Sequence, residues 1–291
     1  MKGVGLILEG GGSRGVYTAG VLQYLMEANI YIPYVIGVSS GACNGSSYIS
    51  RQLNRNKRVN IDYIQHPEYL SLRNLFSKRQ LFGMDFLFET IMNELDPFDY
   101  DTFYQATEEF VVGATDCKTG EAVFYHKSNY AQDMITLIRA SSSLPLIAPA
   151  IHFEDRILLD GGITAPLPIE QSIKDGNKKN IVILTKNRGY LRKSEPFHWL
   201  IRKKYRDFPH FLHAIEKRHH LYNEKLQHLY EEERKGNVFI ISPIQKLSVG
   251  RMEKDRKKLI HLYQQGYNEM KEILPQLKEF CYDPDQIKHV N

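Results

Sequence analysis

The chain has 291 residues, 42% of them apolar and 25% charged, with a formal charge of +4. This ordinary globular usage excludes a long disordered tail, and so small a charge makes no case for a nucleic-acid partner. No apolar run approaches the roughly eighteen residues of a membrane-spanning helix, so the sequence reads as one large domain with its own core and a helical C-terminal extension.

Residues 3–8 form a nearly continuous apolar run, the pattern of a buried parallel strand, and glycines follow at once. Val16, Ala19, Leu22, Leu25 and Met26 then recur at helical spacing. A second buried strand, 34–38, leads into Gly37-Val38-Ser39-Ser40-Gly41 and a helix from Gly41 to about Leu53. Residues 54–80, polar and basic, are expected to form a surface excursion with short helices. Met84, Leu87, Ile91 and Leu95 mark an amphipathic helix that ends before Pro97. A hairpin follows, with strands 108–115 and 121–126 around Cys117-Lys118-Thr119-Gly120. Ile135–Ala140 reads as helix, and Ile157-Leu158-Leu159 as a short strand delivering Asp160-Gly161-Gly162. Further strands are expected at 180–185 and 238–242, and helices across 197–235 and 251–280. Strands alternating with helices define an α/β class.

Three cysteines, Cys43, Cys117 and Cys281, lie far apart without metal-ligand spacing, which disfavours a disulfide framework and a metal site. With an N-terminal apolar run too short for a signal peptide, the expected location is cytoplasmic, at most peripheral at the inner membrane face.

Two motifs carry chemistry. Glycines two residues before and after Ser39 let a strand turn sharply into a helix and expose a hydroxyl for nucleophilic attack. The alternative is a tight turn in which Ser39, or Ser40, caps the next helix. Glu9-Gly10-Gly11-Gly12-Ser13-Arg14-Gly15 presents backbone N–H groups at the start of a helix, an anion site. A dinucleotide site would want an acidic residue where Gly37-Val38-Ser39 stands, and a phosphate loop would want Lys and Ser or Thr where Val16 and Tyr17 follow. An oxyanion hole beside the serine turn fits better, and Arg14 either holds a phosphate or caps the loop. Neither His126 nor His152 is singled out as a base, and Asp116 reads as a turn residue. Asp160 follows a buried strand and is freed by Gly161 and Gly162 for close approach.

The glycine loop 10–15, the elbow 37–41, Ala140-Ser141-Ser142-Ser143-Leu144-Pro145 and Asp160-Gly161-Gly162 occur in an order and spacing that resembles the patatin-like phospholipase family, over about residues 3–185. The resemblance implies a three-layer fold, a mostly parallel central sheet flanked by helices. It also implies a Ser-Asp dyad without histidine, with Ser39 as nucleophile and Asp160 as base. Gly10, Gly11, Gly12, Arg14 and Gly15 would form the oxyanion site, and neither metal nor cofactor is called for. An unperturbed aspartate is a weak base for an alcohol, so direct contact in a sheltered site is expected. The family's third motif often ends in alanine, where this chain has Gly162. Ser248-Val249-Gly250-Arg251 and Leu262-Tyr263-Gln264-Gln265-Gly266-Tyr267 are similar to a bacterial subgroup, with no role attached.

The expected function is lipid acyl hydrolysis of phospholipase A or esterase type through an acyl-serine. The same residues would serve an esterase or thioesterase on soluble substrates, and a silent member would bind acyl chains or a protein. Residues 1–185 are taken as the catalytic core, and 186–291 as a helical part that packs on it and returns one strand to the same structural domain. Residues 186–220 carry ten Lys or Arg against three acidic residues. Within that stretch, Phe197, Trp199, Tyr205, Phe208 and Phe211 among the basic residues suggest peripheral membrane contact through 196–213, or a helix packed on the sheet.

Overall fold

The computed structural model describes residues 1–70, 81–194 and 199–282. Its strands are β1 (Val4–Leu8), β2 (Tyr34–Gly37), β3 (Glu109–Asp116), β4 (Ala122–His126), β5 (Ile151–Phe153), β6 (Arg156–Asp160), β7 (Lys179–Ile183) and β8 (Val238–Ile241). All belong to one sheet in the order β5-β6-β3-β2-β1-β7-β8, with β4 added to β3. Pairing is parallel from β3 through β2, β1 and β7 to β8, and antiparallel among β3, β4, β5 and β6. The parallel sheet expected from sequence therefore holds in the centre, while one flank is antiparallel, where the hairpin brings β4 back along β3.

Two-residue periodicity sorts the strand side chains onto two covered faces. Leu6, Leu8, Val35, Phe110, Val112, Ile181 and Ile183 point into one core, with α1 (Val16–Glu27), α2 (Ser40–Ile49), α3 (Met134–Ser141) and, from the C-terminal part, α5 (Arg256–Cys281). Ile7, Ile36, Val111, Val182 and Leu184 point into the other, against Tyr222, Leu226 and Leu229 of α4 (Pro209–Arg234). The result is three layers, with both faces of the central strands dry.

The sheet brings two chain ends into one lane. β3 pairs with β2 through 109–112 and with β6 through 114–116, while β4 occupies its other edge through 111–115. β2 and β6 thus run toward each other beside β3: Gly37 lies opposite Val112 and Asp160 opposite Ala114. Only Gly113 separates the two positions, so the residues just after β2 face the end of β6.

Three sequence expectations need correction. Residues 54–70 form the expected short helices, at Arg55–Lys57 and Arg58–Asp62, but are only in part a surface excursion: Arg55, Asn56, Ile61, Ile64, Tyr69 and Leu70 are buried, and the last four of these join the core; residues 71–80 lie outside the described residues. The helix before Pro97 is π-helical over Phe86–Leu95. Its extra residue per turn moves Leu95 off the apolar face, to 46% exposure, while Ile91 and Met92 stay buried. The basic aromatic stretch divides as well. Tyr205 and Phe211 are buried against Cys117, Leu159 and Ile163, Trp199 is 68% exposed, and Phe197 lies outside the described residues. No helix among the described residues is long and apolar enough to cross a membrane.

Candidate active site

Ser39 stands between β2 and α2 with φ 54° and ψ −130°, a left-handed conformation that a side-chain-bearing residue rarely adopts. Such strain costs about 1–3 kcal/mol and persists only where neighbours enforce it. Gly37 and Gly41 permit the turn through close approach: a Cβ on Gly37 would lie 2.7 Å from Ala42 N, and one on Gly41 2.3 Å from Leu8 O. Ser141, at the end of α3, locks it. Its Oγ accepts the Ser39 N–H at 2.8 Å and donates to Gly113 O at 2.6 Å, tying the turn to the middle of β3. The capping alternative is not what the structure shows, because Ser39 makes no side-chain cap hydrogen bond, and Ser40 Oγ accepts from Gly11 N–H at 2.8 Å.

Asp160 is 2% exposed. Its Oδ1 accepts from Gly162 N–H at 2.8 Å, as a turn aspartate would, but Oδ2 is buried without a partner among the described residues. An orphaned buried carboxylate oxygen is costly and asks for an explanation. Gly161 sits directly on the Gly113 carbonyl, where a Cβ would come within 2.1 Å. Ser39 and Asp160 line one cavity, but no hydrogen bond joins the hydroxyl to the carboxylate, so the direct contact expected from sequence is not made. Such hydrogen bonds are often long in empty sites and tighten around substrate.

Gly10, Gly11, Gly12 and Arg14 line the same cavity; Gly15 does not, and its carbonyl accepts from Asn44 Nδ2 behind the loop. With the Gly11 N–H taken by Ser40, the N–H groups of Gly10 and Gly12 are left without hydrogen bonds among the described residues. Glu9 anchors the loop: its carboxylate accepts from Thr185 N, from Thr185 Oγ1 at 2.9 Å and from Tyr222 Oη at 2.9 Å. Burial pushes its pKa up against the pull of those hydrogen bonds. A segment far along the chain clamps the loop from outside. Arg251 O accepts from Ser13 N–H at 2.9 Å and fills the place of a Gly12 side chain, which explains a glycine there with φ 58°.

Two cavities meet at Ser39. The first is polar, and five cations line it: Arg14, Lys186, Arg192, Arg218 and Arg251. The second is lined largely by apolar side chains, among them Ile64, Phe82, Met84, Leu87, Met92 and Ile138. Burial and the nearby Arg251 guanidinium push the Arg14 pKa down, and burial, with Arg14 next, pushes Lys186 down to about 8. Cys43 lines the apolar cavity, and burial raises its pKa, which keeps it a thiol and a poor rival to Ser39 as nucleophile. No histidine lines either cavity among the described residues. His126 instead faces Glu109 and Asp175, and His152 is exposed.

Sequence reasoning placed Ser39, Asp160 and the glycine loop but gave no role to Ser141, Tyr222 or the four cations beyond residue 185. Lys186, Arg192 and Arg218 belong to the basic stretch 186–220, whose charge was visible while its inward direction was not.

The described residues thus form a three-layer α/β sheet with a strand–serine–helix turn and a buried aspartate lining one cavity. Residues 6–173 match the model described as patatin-like phospholipase, and the chain belongs to that family of lipid hydrolases. Residues 208–282 match a domain of unknown function, DUF6363. Uncharacterized protein YjjU of Escherichia coli K12 is 29% identical over 188 residues, covering 62% of this chain and 52% of that protein. Probable lipid hydrolase 463L of Invertebrate iridescent virus 6 is 28% identical over 193 residues, 60% of this chain and 65% of that one. Lysophospholipase nte1 of Aspergillus terreus is 30% identical over 170 residues, 55% of this chain and 10% of that one. The matched region thus spans from a tenth to just under two thirds of these relatives.

Proposed function

We propose that this protein is a lipid acyl hydrolase in which Ser39 and Asp160 act as a dyad. The observation that carries the reading is the buried, unpartnered Oδ2 of Asp160 in the cavity that Ser39 enters from a strained turn. Ser39 Oγ attacks the ester carbonyl as its proton passes to Asp160. The N–H groups of Gly10 and Gly12 are the oxyanion donors, each worth about 3 kcal/mol in such a role. Collapse expels the alcohol, which takes the proton from Asp160 and leaves an acyl-serine. Asp160 then takes a proton from water as the hydroxide adds, and the acid departs when Ser39 recovers its proton. The apolar cavity at Ser39 favours a long acyl chain over a small soluble acyl group.

Peripheral lipid contact fits the exposed Trp199 and Leu200 beside Arg202, Lys203 and Lys204. Tyr205 and Phe211, buried in the molecule, take no part in it.

The test is hydrolysis of a long-chain p-nitrophenyl ester and of phospholipid vesicles by the wild type and by Ser39→Ala and Asp160→Asn. Each substitution is expected to lower kcat by at least about a thousandfold with unchanged circular dichroism. Fluorophosphonate labelling of the wild type and not of Ser39→Ala would accompany it. Retained turnover in either variant rules out the dyad, and a wild type that neither labels nor hydrolyses is a silent member.

A further inference from the structure

Four of the five cations around the polar cavity, Lys186, Arg192, Arg218 and Arg251, lie outside the 6–173 region matched by the patatin-like model. They arrive by three routes. Lys186 and Arg192 follow β7, Arg218 lies on α4, and Arg251 lies in the segment that clamps the glycine loop. Arg218 Nε donates to Gly162 O at 2.8 Å, which sets its guanidinium against the Asp160 turn. Among the described residues the cavity is lined by two carboxylates, Glu9 and Asp160, and the Glu9 oxygens are already engaged by Thr185 and Tyr222. Arg14, Lys186 and Arg251 form no ion pair among the described residues, and the buried Nε of Arg14 has no partner. Elsewhere in the same stretch, Arg188 and Arg202 do find carboxylates, in Glu233 and Glu216. Converging like charges in a partly buried space are held at a cost that an anion would relieve, and the depressed pKa values of Arg14 and Lys186 express that cost.

We infer that the C-terminal part of the chain builds a phosphate subsite on the polar side of Ser39. Several guanidinium groups around one space match the many oxygens and double charge of a phosphate better than one carboxylate. The inference rests on the acyl hydrolase reading for its consequence. With an acyl chain in the apolar cavity and its ester at Ser39, the head of the substrate falls among the cations, so phosphate-bearing acyl esters are the favoured class.

The experiment has two arms. In one, wild type, Arg251→Gln and Lys186→Gln hydrolyse lysophosphatidic acid and a monoacylglycerol of the same acyl chain, both in one neutral detergent. The wild type is expected to favour the phosphate ester by about tenfold or more in kcat/KM, and each substitution to bring that ratio toward one. Arg251→Gln leaves in place the backbone carbonyl that clamps the loop. In the other arm, calorimetry measures inorganic phosphate and glycerol 3-phosphate binding to Ser39→Ala, with and without Arg251→Gln. Binding that Arg251→Gln abolishes, with a hydrolysis ratio of one, assigns the subsite to free phosphate instead of a headgroup. No binding together with a ratio of one, or a preference that both substitutions leave intact, overturns the subsite. If the wild type hydrolyses neither ester, the catalytic reading fails while the calorimetry still decides the subsite.

Discussion

At the residue scale, the serine turn depends on a second serine. Ser141 is fully buried, and its single hydroxyl both accepts the Ser39 N–H and donates to Gly113 O. Ser141→Ala leaves the partly buried Ser39 N–H and the buried Gly113 carbonyl without this partner, at about 1–3 kcal/mol, and releases the constraint on the left-handed backbone of Ser39. Thermal unfolding should therefore show a modest loss of stability, while kcat on a p-nitrophenyl ester falls by about tenfold or more at little-changed KM. A loss of stability with kcat intact would make Ser141 structural only. Ser39 and Asp160 were legible from sequence because glycines punctuate the chain on either side of them. Ser141 was visible only as part of a motif, since no local pattern reveals that a helix end will bridge β2 and β3.

At the element scale, the crossing of α1 and α5 sets how the C-terminal part meets the core. A Cβ on Gly20 would lie 2.1 Å from Tyr263 O, and one on Gly266 2.2 Å from Tyr17 O, so two glycines allow the backbones to touch. Tyr17 Oη donates to Glu269 Oε2 at 2.7 Å across the same seam. Gly266→Ala puts a methyl into backbone that has no room for it, and despite the better helix propensity of alanine it should destabilise by about 1–3 kcal/mol. Denaturant unfolding checks this, and a stabilised Gly266→Ala would mean that the helices part freely. The buried strands β1, β2, β7 and β8 could be read from their apolar runs because their surroundings on both faces are alike. The antiparallel flank and the π-helical segment could not, since strand neighbours and helix pitch are settled by contacts distant in sequence. Leu262 to Tyr267 stood out as a block without a role, and the seam between α1 and α5 supplies one.

At the scale of the whole molecule, the C-terminal part reaches the cavity through the loop after β7, through α4 and through the Arg251 clamp, and it brings charge each time. Lys186 makes this coupling measurable. Burial and the field of Arg14, Arg251 and Arg192 outweigh the attraction of Glu9 and hold its pKa at about 8, below the ordinary lysine value of about 10.4. Because the second ionisation of a phosphate ester is complete above about pH 7, the ligand keeps its charge while Lys186 loses its own. Glycerol 3-phosphate should therefore bind with constant affinity from about pH 7 to 8 and weaken by up to about tenfold for each further pH unit. Lys186→Arg, which stays charged, should flatten that decline. The same cation acts on stability with the opposite sense. Its folded-state pKa lies below the unfolded one, so the unfolded chain binds more protons between about pH 8 and 10.4, and stability rises with pH across that window. Replacing it with a neutral residue of similar length, Lys186→Met, should raise Tm at pH 7 in phosphate-free buffer, and that gain should shrink as the pH climbs from 8 toward 10. Calorimetric scans at pH 7 and pH 9.5 read the difference. A Lys186→Met protein less stable than the wild type at pH 7 would show that the lysine is held by a favourable contact, and the case for a cation kept in the cavity to meet an anion would lose its energetic basis.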